Sequence, residues 1–421
     1  MRTIRPRTVA ALVAALGLTT LLGTVPGYAQ PTTPPTTPTA TTPDTSGCPY
    51  RYAPPAPVDL SEVPAPGTPA PTPVPVPDQP VGGPRMSECG IILPAGAPAL
   101  PDGINATSWV LADAGSGEVL AAKDPHGRQR PASTIKLLTA LLAVDRLPAD
   151  RVVTGTLADA DQEGSRVGIG PGGKYTVRQL LTGLVLVSGN DAAHALAEQL
   201  GGVPATVRQM NDLAARLGAL DTHAATPSGL DGPGMSTSSY DLALVFGHVL
   251  SRPLLVQLLG TRQADFPGYP GRPGFVVSND DKLLYEDYRG VLGGKNGFTD
   301  DARHTFVAGA VRGGRTLIVS LMRGEQRPVL MVDQAARLLD YGFALPRGNS
   351  VGQLVAPGPP AGSRQAQTPT AAQVAPAGAG AAVQRGPLDR DGLVKGLLWL
   401  AAAVLVLTVL VALVLRQRRR T

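Results

Sequence analysis

The chain has 421 residues and a formal net charge of +5, with 37 basic and 32 acidic residues. Seven of its arginines lie within residues 1–29 and 416–421, and without them the rest of the chain has a net charge of −2. The positive balance therefore does not indicate binding to nucleic acid. The five histidines are scattered without zinc-ligand spacing and there are only two cysteines, so we expect no metal and no cofactor.

Residues 1–29 have the three parts of a secretory signal peptide. Three arginines precede the apolar stretch 9–22, and Gly27 and Ala29 are small residues at the cleavage positions. An uncleaved membrane anchor is the alternative. The apolar stretch is short for a bilayer span, which needs about 20 apolar residues, so we expect a signal peptide.

Residues 30–100 are low in complexity, and 18 of the 42 prolines lie between Pro31 and Pro84. Such a composition favours extended polyproline structure and cannot build a core of its own. Cys48 and Cys89 lie within this segment. In an oxidising exterior they most simply form one disulfide, which would tie an otherwise loose segment down.

Residues 101–345 are enough for one large domain or for an α/β domain with a helical insert. The pattern predicts a hairpin at 108–112 and 118–121, helices at 133–147, 179–187, 192–200, 205–217 and 238–250, a hairpin at 304–311 and 315–322, and a helix at 329–339. Strands therefore come first and last, with helices between them. This order predicts an α+β fold whose antiparallel sheet is completed from both ends of the domain, with a helical lobe beside it.

The C-terminal part is predicted to anchor the chain in a membrane. Residues 346–392 are an Ala/Pro/Gly-rich linker, and residues 396–415 are 20 residues without a charge, enough for a transmembrane helix. The basic tail, residues 416–421, follows at once. Because positive residues stay on the cytoplasmic side, we expect a single span with residues 101–345 outside the cell.

Ser133 and Lys136 are the first candidate catalytic pair. Residues three apart share a helix face, so a neutral lysine amine could remove the serine proton and create a nucleophile. A surface lysine in the first turn of a helix is the bland alternative. The chain has only six lysines, and none of the other five follows a serine by three residues.

Two further motifs follow in a fixed order. Ser188-Gly189-Asn190 comes after an apolar run, and Lys295-Asn296-Gly297 comes after a glycine pair. Each tripeptide alone would indicate only a loop or a turn. Together with the serine–lysine pair, they form the three-motif pattern of penicillin-recognising serine enzymes.

The chain resembles the low-molecular-weight penicillin-binding proteins, and among them the serine-type D-alanyl-D-alanine carboxypeptidases, over residues 108–343. Residues 226–231 and 235–243 also resemble stretches of that family. Asn296 departs from the usual threonine or serine of the third motif, and the hydroxyl of Thr299 is a nearby substitute. The resemblance implies a penicillin-binding-protein/β-lactamase-like fold.

The resemblance also implies a role for each motif residue. Ser133 would be the nucleophile, Lys136 its base, and Ser188 the relay of a proton to the leaving D-alanine. The substrate-binding residues would be Asn190, Lys295, Gly297, Phe298 and Thr299. Among them, Asn190 would bind the donor peptide, Lys295 and Thr299 the terminal carboxylate, and Phe298 would share the oxyanion with Ser133 through backbone N–H groups.

The implied substrate is a peptidoglycan stem pentapeptide ending in D-Ala-D-Ala, and penicillins would acylate the same serine. A class A β-lactamase is disfavoured, since only Glu198 and Glu286 lie between Asn190 and Lys295 and neither has the expected setting. A D,D-endopeptidase or transpeptidase and a non-catalytic wall-binding relic remain open. His304 is expected to be a structural strand residue.

Overall fold

The computed structural model describes residues 47–356. In this range the strands are β1 (Ile91–Ile92), β2 (Ser108–Asp113), β3 (Glu118–Lys123), β4 (Val152–Thr154), β5 (Lys174–Thr176), β6 (Gln263–Phe266), β7 (Phe275–Ser278), β8 (Val291–Thr299), β9 (Arg303–Arg312), β10 (Arg315–Gly324) and β11 (Gly352–Gln353). The helices are α1 (Lys136–Arg146), α2 (Leu157–Ala160), α3 (Val177–Leu186), α4 (Asn190–Gln199), α5 (Val203–Leu217), α6 (Ser239–Leu250), α7 (Pro253–Leu259) and α8 (Met331–Ala344).

The main sheet is antiparallel and is built from both ends of the domain, as the sequence predicts. Its order is β1-β3-β2-β10-β9-β8, and β11 pairs with β3. The two parts of the chain meet where β10 pairs with β2, with Val319 opposite Leu111. Because β8 ends this order, one of its edges pairs with β9 and the other is left open toward the helical lobe.

The sheet is covered on both faces. Successive residues of a strand point to opposite faces, so Val110 and Ala112 join the apolar cluster of the helical lobe, whereas Trp109 and Leu111 pack under α8. Helix α1 lies in the middle of the lobe, against α3, α5 and α6. Seven of its residues besides Lys136 are buried, so the helix that follows Ser133 is a core helix.

The sequence missed the short elements. Helix α7 and the two small hairpins, β4 with β5 and β6 with β7, have between three and seven residues each. The sheet also extends past the predicted domain end at residue 345, because β11 pairs with β3 and the hydroxyl of Tyr240 donates to the carbonyl of Gln353 at 2.7 Å. Short segments are placed by their tertiary partners, which local periodicity does not reveal.

The proline-rich segment is docked on the domain and is not loose in its described part. Cys48 and Cys89 form a disulfide, and we call the loop that they close, residues 48–89, the strap. Polyproline backbone has no internal hydrogen bonds, so its carbonyls need donors from elsewhere. Arg128, which is buried, donates to the carbonyls of Tyr52, Val74 and Pro75 at 2.9, 2.6 and 3.1 Å.

The predicted signal peptide, linker, transmembrane helix and basic tail lie outside the described residues, apart from residues 346–356 of the linker. Within residues 47–356, no single helix is long and apolar enough to cross a membrane. Helices α6 and α7 reach that length and composition only as a pair, with a 109° bend between them.

Candidate active site

Ser133 lies in a tight 3₁₀ turn, Ala132–Ile135, that leads into α1. Ala132 has a φ of 47°, a left-handed conformation that costs energy for a residue with a side chain. The turn is held from two directions, because the hydroxyls of Thr134 and Thr305 both donate to the carbonyl of Pro131, at 2.6 and 2.8 Å. These contacts fix the position of the serine before any substrate binds.

Lys136 contacts the nucleophile directly. Its Nζ lies 2.7 Å from Ser133 Oγ and donates to the carbonyl of Ser228 at 2.6 Å. Burial, and then the neighbouring Lys295 ammonium, hold the pKa of Lys136 well below its ordinary value, against the opposing effect of Asp191. A lysine in this setting can be neutral and can accept the serine proton.

Lys295 is the second buried lysine of the site. Burial lowers its pKa to about 8, while Asp280 and Asp281 favour its charged form. Its Nζ donates to the carbonyl of Asn296 at 2.8 Å. Because Lys295 keeps two carboxylates nearby and Lys136 has only Asp191, we assign the positive charge of the pair to Lys295.

The second motif forms the turn between α3 and α4. Ser188 has a φ of 58°, and Asn190 begins α4 and donates through Nδ2 to the carbonyl of Glu163 at 2.6 Å. Ser188 Oγ and Asn190 Oδ1 are buried without a hydrogen-bond partner among residues 47–356. Both atoms can therefore bond to a substrate.

Asp191 is a residue that the sequence analysis missed. Its carboxylate accepts hydrogen bonds from the backbone N–H groups of Val167, Gly168 and Ile169 at 2.7–2.9 Å, so it fixes the loop beside Asn190. It is fully buried, and it also favours the charged form of Lys136. An acidic residue in the first turn of α4 was the available signal.

The third motif brings β8 against the nucleophile turn. A Cβ on Gly297 would lie 2.8 Å from the backbone N of Ser133 and 2.6 Å from Thr305 Oγ1, so only glycine allows this approach. Gly229 does the same from the loop after Ser228, since its Cβ would lie 2.0 Å from the carbonyl oxygen of Ala132. Both glycines act by letting backbone pack on the turn that carries Ser133.

Asn296 and Phe298 lie on the other face of β8. They line a cavity of about 210 Å³ together with His304 and Phe306, under the start of α8. The ring of Phe298 is 48% exposed and lies 4.5 Å from that of His304, whose Nδ1 contacts Gln326 at 3.1 Å. The Asn296 side chain also contacts Lys295, because Asn296 Oδ1 accepts a hydrogen bond from Lys295 Nζ at 3.3 Å, and His304 packs as a strand residue.

Thr299 lies four residues beyond Lys295, about 13 Å along an extended strand. Its hydroxyl accepts from the backbone N of Ala302 at 3.0 Å and is hydrogen-bonded to Asp231. Asp301 follows two residues later. The role of Thr299 as a ligand of a substrate carboxylate stays a prediction, and the carboxyl of Asp231 is its neighbour.

Arg323 is a further cation that the sequence analysis left unassigned. It is the second-last residue of β10 and has a φ of 50°, and its Nη1 donates to the carbonyl of Asp301 at 2.7 Å. Arg303, the other arginine of this region, is paired with Glu325 at 2.8 Å. Arg323 therefore adds positive charge next to the end of β8.

The comparison with known proteins identifies the family. The family model described as D-alanyl-D-alanine carboxypeptidase, peptidase family S11, matches residues 95–326. The chain belongs to this family. As an S11 peptidase it is a serine-type hydrolase, and Ser133 lies within the matched residues.

Two relatives show how far the likeness extends. The chain is 48% identical over 268 residues to D-alanyl-D-alanine carboxypeptidase DacB2 of Mycobacterium tuberculosis. This alignment covers 62% of the present chain and 90% of DacB2. It is 34% identical over 256 residues to DacD of Salmonella typhimurium, covering 58% of this chain and 64% of that one. The match thus spans slightly less than two thirds of DacD.

Solved structures agree with the penicillin-binding-protein-like fold. A D-alanyl-D-alanine carboxypeptidase from Mycobacterium tuberculosis has a TM-score of 0.60 at 46% identity, covering 62% of this chain and 99% of that chain. The Streptomyces K15 DD-transpeptidase has a TM-score of 0.55 at 28% identity, covering 60% of this chain and 100% of that one.

We expect Ser133→Ala to abolish peptidase activity and labelling by a fluorescent penicillin, because it removes the attacking oxygen. Lys136→Arg should also be nearly inactive, since a guanidinium does not give up its proton to become a base. Gel fluorescence over time measures the labelling rate of each purified variant. Labelling of Lys136→Arg at the wild-type rate would show that Lys136 is not the base.

We expect Asn296→Thr to change kcat/KM by less than about tenfold, or 1.4 kcal/mol. The reason is that Asn296 Oδ1 accepts a hydrogen bond from Lys295 Nζ at 3.3 Å, and a threonine hydroxyl is a hydrogen-bond acceptor as well. Steady-state release of D-alanine measures the change. Gly297→Ala is the contrasting variant, because its new methyl group would collide with the backbone of Ser133, and it should lose most of the activity. A loss above a hundredfold in Asn296→Thr would contradict the assignment.

Proposed function

We propose that this S11 peptidase removes the terminal D-alanine of peptidoglycan stem pentapeptides through an acyl-enzyme on Ser133. The observation that carries the proposal is the contact of 2.7 Å between Lys136 Nζ and Ser133 Oγ, made by a lysine that is 1% exposed. A buried amine with a lowered pKa next to a serine at the start of a helix is an activated nucleophile. The names of the relatives supply the substrate class.

In the first step, Ser133 Oγ bonds to the carbonyl carbon between the two terminal D-alanines, and its proton passes to Lys136 Nζ. The carbonyl oxygen becomes negative. The backbone N–H groups of Ser133 and Phe298 would hold it, with support from the positive end of the turn leading into α1. The open edge of β8 leaves room for the substrate to lie along this strand.

In the second step, the C–N bond breaks and the leaving amine takes a proton. Ser188, whose buried hydroxyl has no partner among the described residues, would relay this proton from Lys136. Water then attacks the ester carbon of acyl-Ser133, loses its proton to the same base, and the shortened peptide leaves. The serine regains its proton, and the cycle closes.

Substrate binding would use opposite charge at Lys295, in the middle of β8, and hydrogen bonds elsewhere. Lys295, the charged lysine of the pair, would attract the terminal carboxylate, and Asn190 would bond to the donor peptide through its free Oδ1 and its amide. Because the carboxylate lies toward Lys295, the rest of the stem peptide extends past Phe298 toward Thr299. A penicillin, whose lactam resembles the same dipeptide, would acylate Ser133.

We further propose that the enzyme works outside the cell on a single membrane anchor. A disulfide between Cys48 and Cys89 fits an oxidising compartment, and residues 396–415 have the length and composition of a span. The substrate, a component of the cell wall, is in the same compartment. We propose no nucleic-acid partner.

A β-lactamase-like function has little support in the described residues. Glu198, at the end of α4, is half-exposed and contacts His194, and Glu286 lies on the surface. Neither is available to activate a deacylating water at Ser133. A non-catalytic relic is also disfavoured, because Ser133, Lys136 and Lys295 are all present and are assembled at one site.

Transpeptidation is the second candidate, because a solved neighbour is named a DD-transpeptidase. The test incubates the enzyme with a pentapeptide, with and without an added amino-acid acceptor. Mass spectrometry of the products then distinguishes carboxypeptidase activity from transpeptidase activity. We expect tetrapeptide and free D-alanine as the main products in both reactions. A product extended by the acceptor in greater yield than tetrapeptide would favour the transpeptidase, and no release of D-alanine would contradict both.

We expect the adduct of a penicillin with Ser133 to persist for minutes or longer. The opened lactam stays attached and blocks the approach of water, whereas the released D-alanine leaves the peptidyl ester open to water. Intact-mass spectrometry at intervals after removal of excess penicillin measures the adduct. Its disappearance within seconds would instead favour a β-lactamase.

A further inference from the structure

The strap reaches the active-site cleft, although it lies outside residues 95–326, which match the family. Residues 55–62 of the strap contact Arg130, three residues before Ser133, and Asp301, two residues after Thr299. These two contacts join the strap to both the nucleophile turn and the end of β8. The strap therefore borders the end of the cleft that lies away from Lys295.

Arg130 is the main attachment point. It is 2% exposed, donates through Nη1 to the carbonyl of Pro55 at 2.8 Å, and forms a two-point ion pair with Glu62, in which Nη2 lies 2.8 Å from Oε2. A paired, buried arginine is strongly destabilised when its partner is removed. Glu62 thus holds the strap on the segment that leads into Ser133.

Asp301 is the second attachment point, on the β8 side. Its Oδ1 accepts a hydrogen bond from the backbone N of Val58. Asp301 is 2% exposed, and its Oδ2 has no partner within residues 47–356. Val58 itself is 67% exposed, so its side chain adds apolar surface outside the buried contact.

Asp231 links the attachment points of the strap to Thr299, because its pKa responds to residues of both. Burial raises the pKa of Asp231 to about 6, with Asp301 and Glu62 adding to the effect, whereas the hydrogen bond with Thr299 and the charge of Arg130 oppose it. Its Oδ1 also has no partner among the described residues. The surroundings of Thr299 therefore contain two buried carboxylate oxygens that receive no hydrogen bond from the described residues.

The strap thus lies where the stem peptide would extend. If the terminal carboxylate is bound near Lys295, the donor residues before the scissile bond run past Phe298 toward Thr299 and Asp301, at about 3.3 Å per residue. A donor with only one acyl group on D-Ala-D-Ala ends before it reaches the strap. A full pentapeptide passes beside residues 55–62.

We propose that the strap is a wall of the donor-peptide site, and that Glu62 is a positioning residue that holds it there through Arg130. This inference rests on the proposed function and adds a substrate preference to it. The strap distinguishes donors by length: it binds the stem peptide beyond the reactive dipeptide and does not contact the reacting atoms. Long stem peptides are therefore preferred over short acylated D-Ala-D-Ala donors.

The test compares a pentapeptide with N-acyl-D-Ala-D-Ala in Glu62→Ala and in Val58→Pro. The first variant removes the partner of Arg130, and the second removes the N–H that bonds to Asp301 without changing charge. In both we expect KM for the pentapeptide to rise about fivefold or more, with kcat within twofold, because only binding of the donor chain is weakened. Both kinetic constants for the short donor should remain at wild-type values.

Glu88→Ala is the matched control, because Glu88 is also in the strap and forms a two-point ion pair with Arg85 at 2.9 and 3.1 Å, close to Cys89. It should leave the kinetics for both donors unchanged. Glu62→Gln, which keeps a hydrogen-bonding group, should restore part of the pentapeptide KM. Penicillin labelling at the wild-type rate should accompany every variant.

The inference is overturned if either variant leaves the pentapeptide KM unchanged. It is also overturned if a variant changes the kinetics of both donors and penicillin labelling equally, because that result would mean a general loss of structure. Failure of the proposed function is a different result. In that case the wild-type enzyme would release no D-alanine from either donor.

Discussion

The burial of two lysines in one cleft is the constraint on which the rest of the site depends. Lys136 and Lys295 are each 1% exposed. Two ammonium charges buried side by side would cost free energy, because each loses its hydration and each repels the other. Asp280 and Asp281 stabilise the charge on Lys295, so the cost falls on Lys136. The arrangement favours the positive charge on Lys295 and the neutral amine on Lys136, as the proposed mechanism requires.

That burial requires close packing of backbone around Ser133. Helix α1 is in the core of the helical lobe, and the turn before it is covered by Gly297 from β8 and by Gly229 from the loop after Ser228. The first of these contacts depends on the register of the sheet. A shift of one residue in β8 would move Lys295 and Gly297 to the opposite face, where Asn296 and Phe298 now lie.

The strap packs on the domain because its backbone carbonyls need hydrogen-bond donors from elsewhere in the chain. Extended proline-rich backbone leaves its carbonyls unpaired, and Arg128 and Arg130, two residues apart in an extended segment, supply guanidinium groups on the same side. His126, two residues earlier, donates through Nε2 to the carbonyl of Val81 at 2.9 Å in the same way. The segment that leads to the nucleophile is therefore also the segment that binds the strap.

The sequence by itself determined the chemistry and most of the fold. Three motifs in a fixed order predicted Ser133, Lys136, Ser188, Asn190 and Lys295 as site residues. Apolar periodicity located the long helices and the two central hairpins of the main sheet, because these signals are local. Only the tertiary structure decided which face of β8 each residue occupies, and it placed Asn296 Oδ1 3.3 Å from Lys295 Nζ. Tertiary contacts also decided that Asp191 fixes the second motif and that the strap borders the cleft. Such results depend on pairings between residues far apart in the chain, and composition carries no record of them.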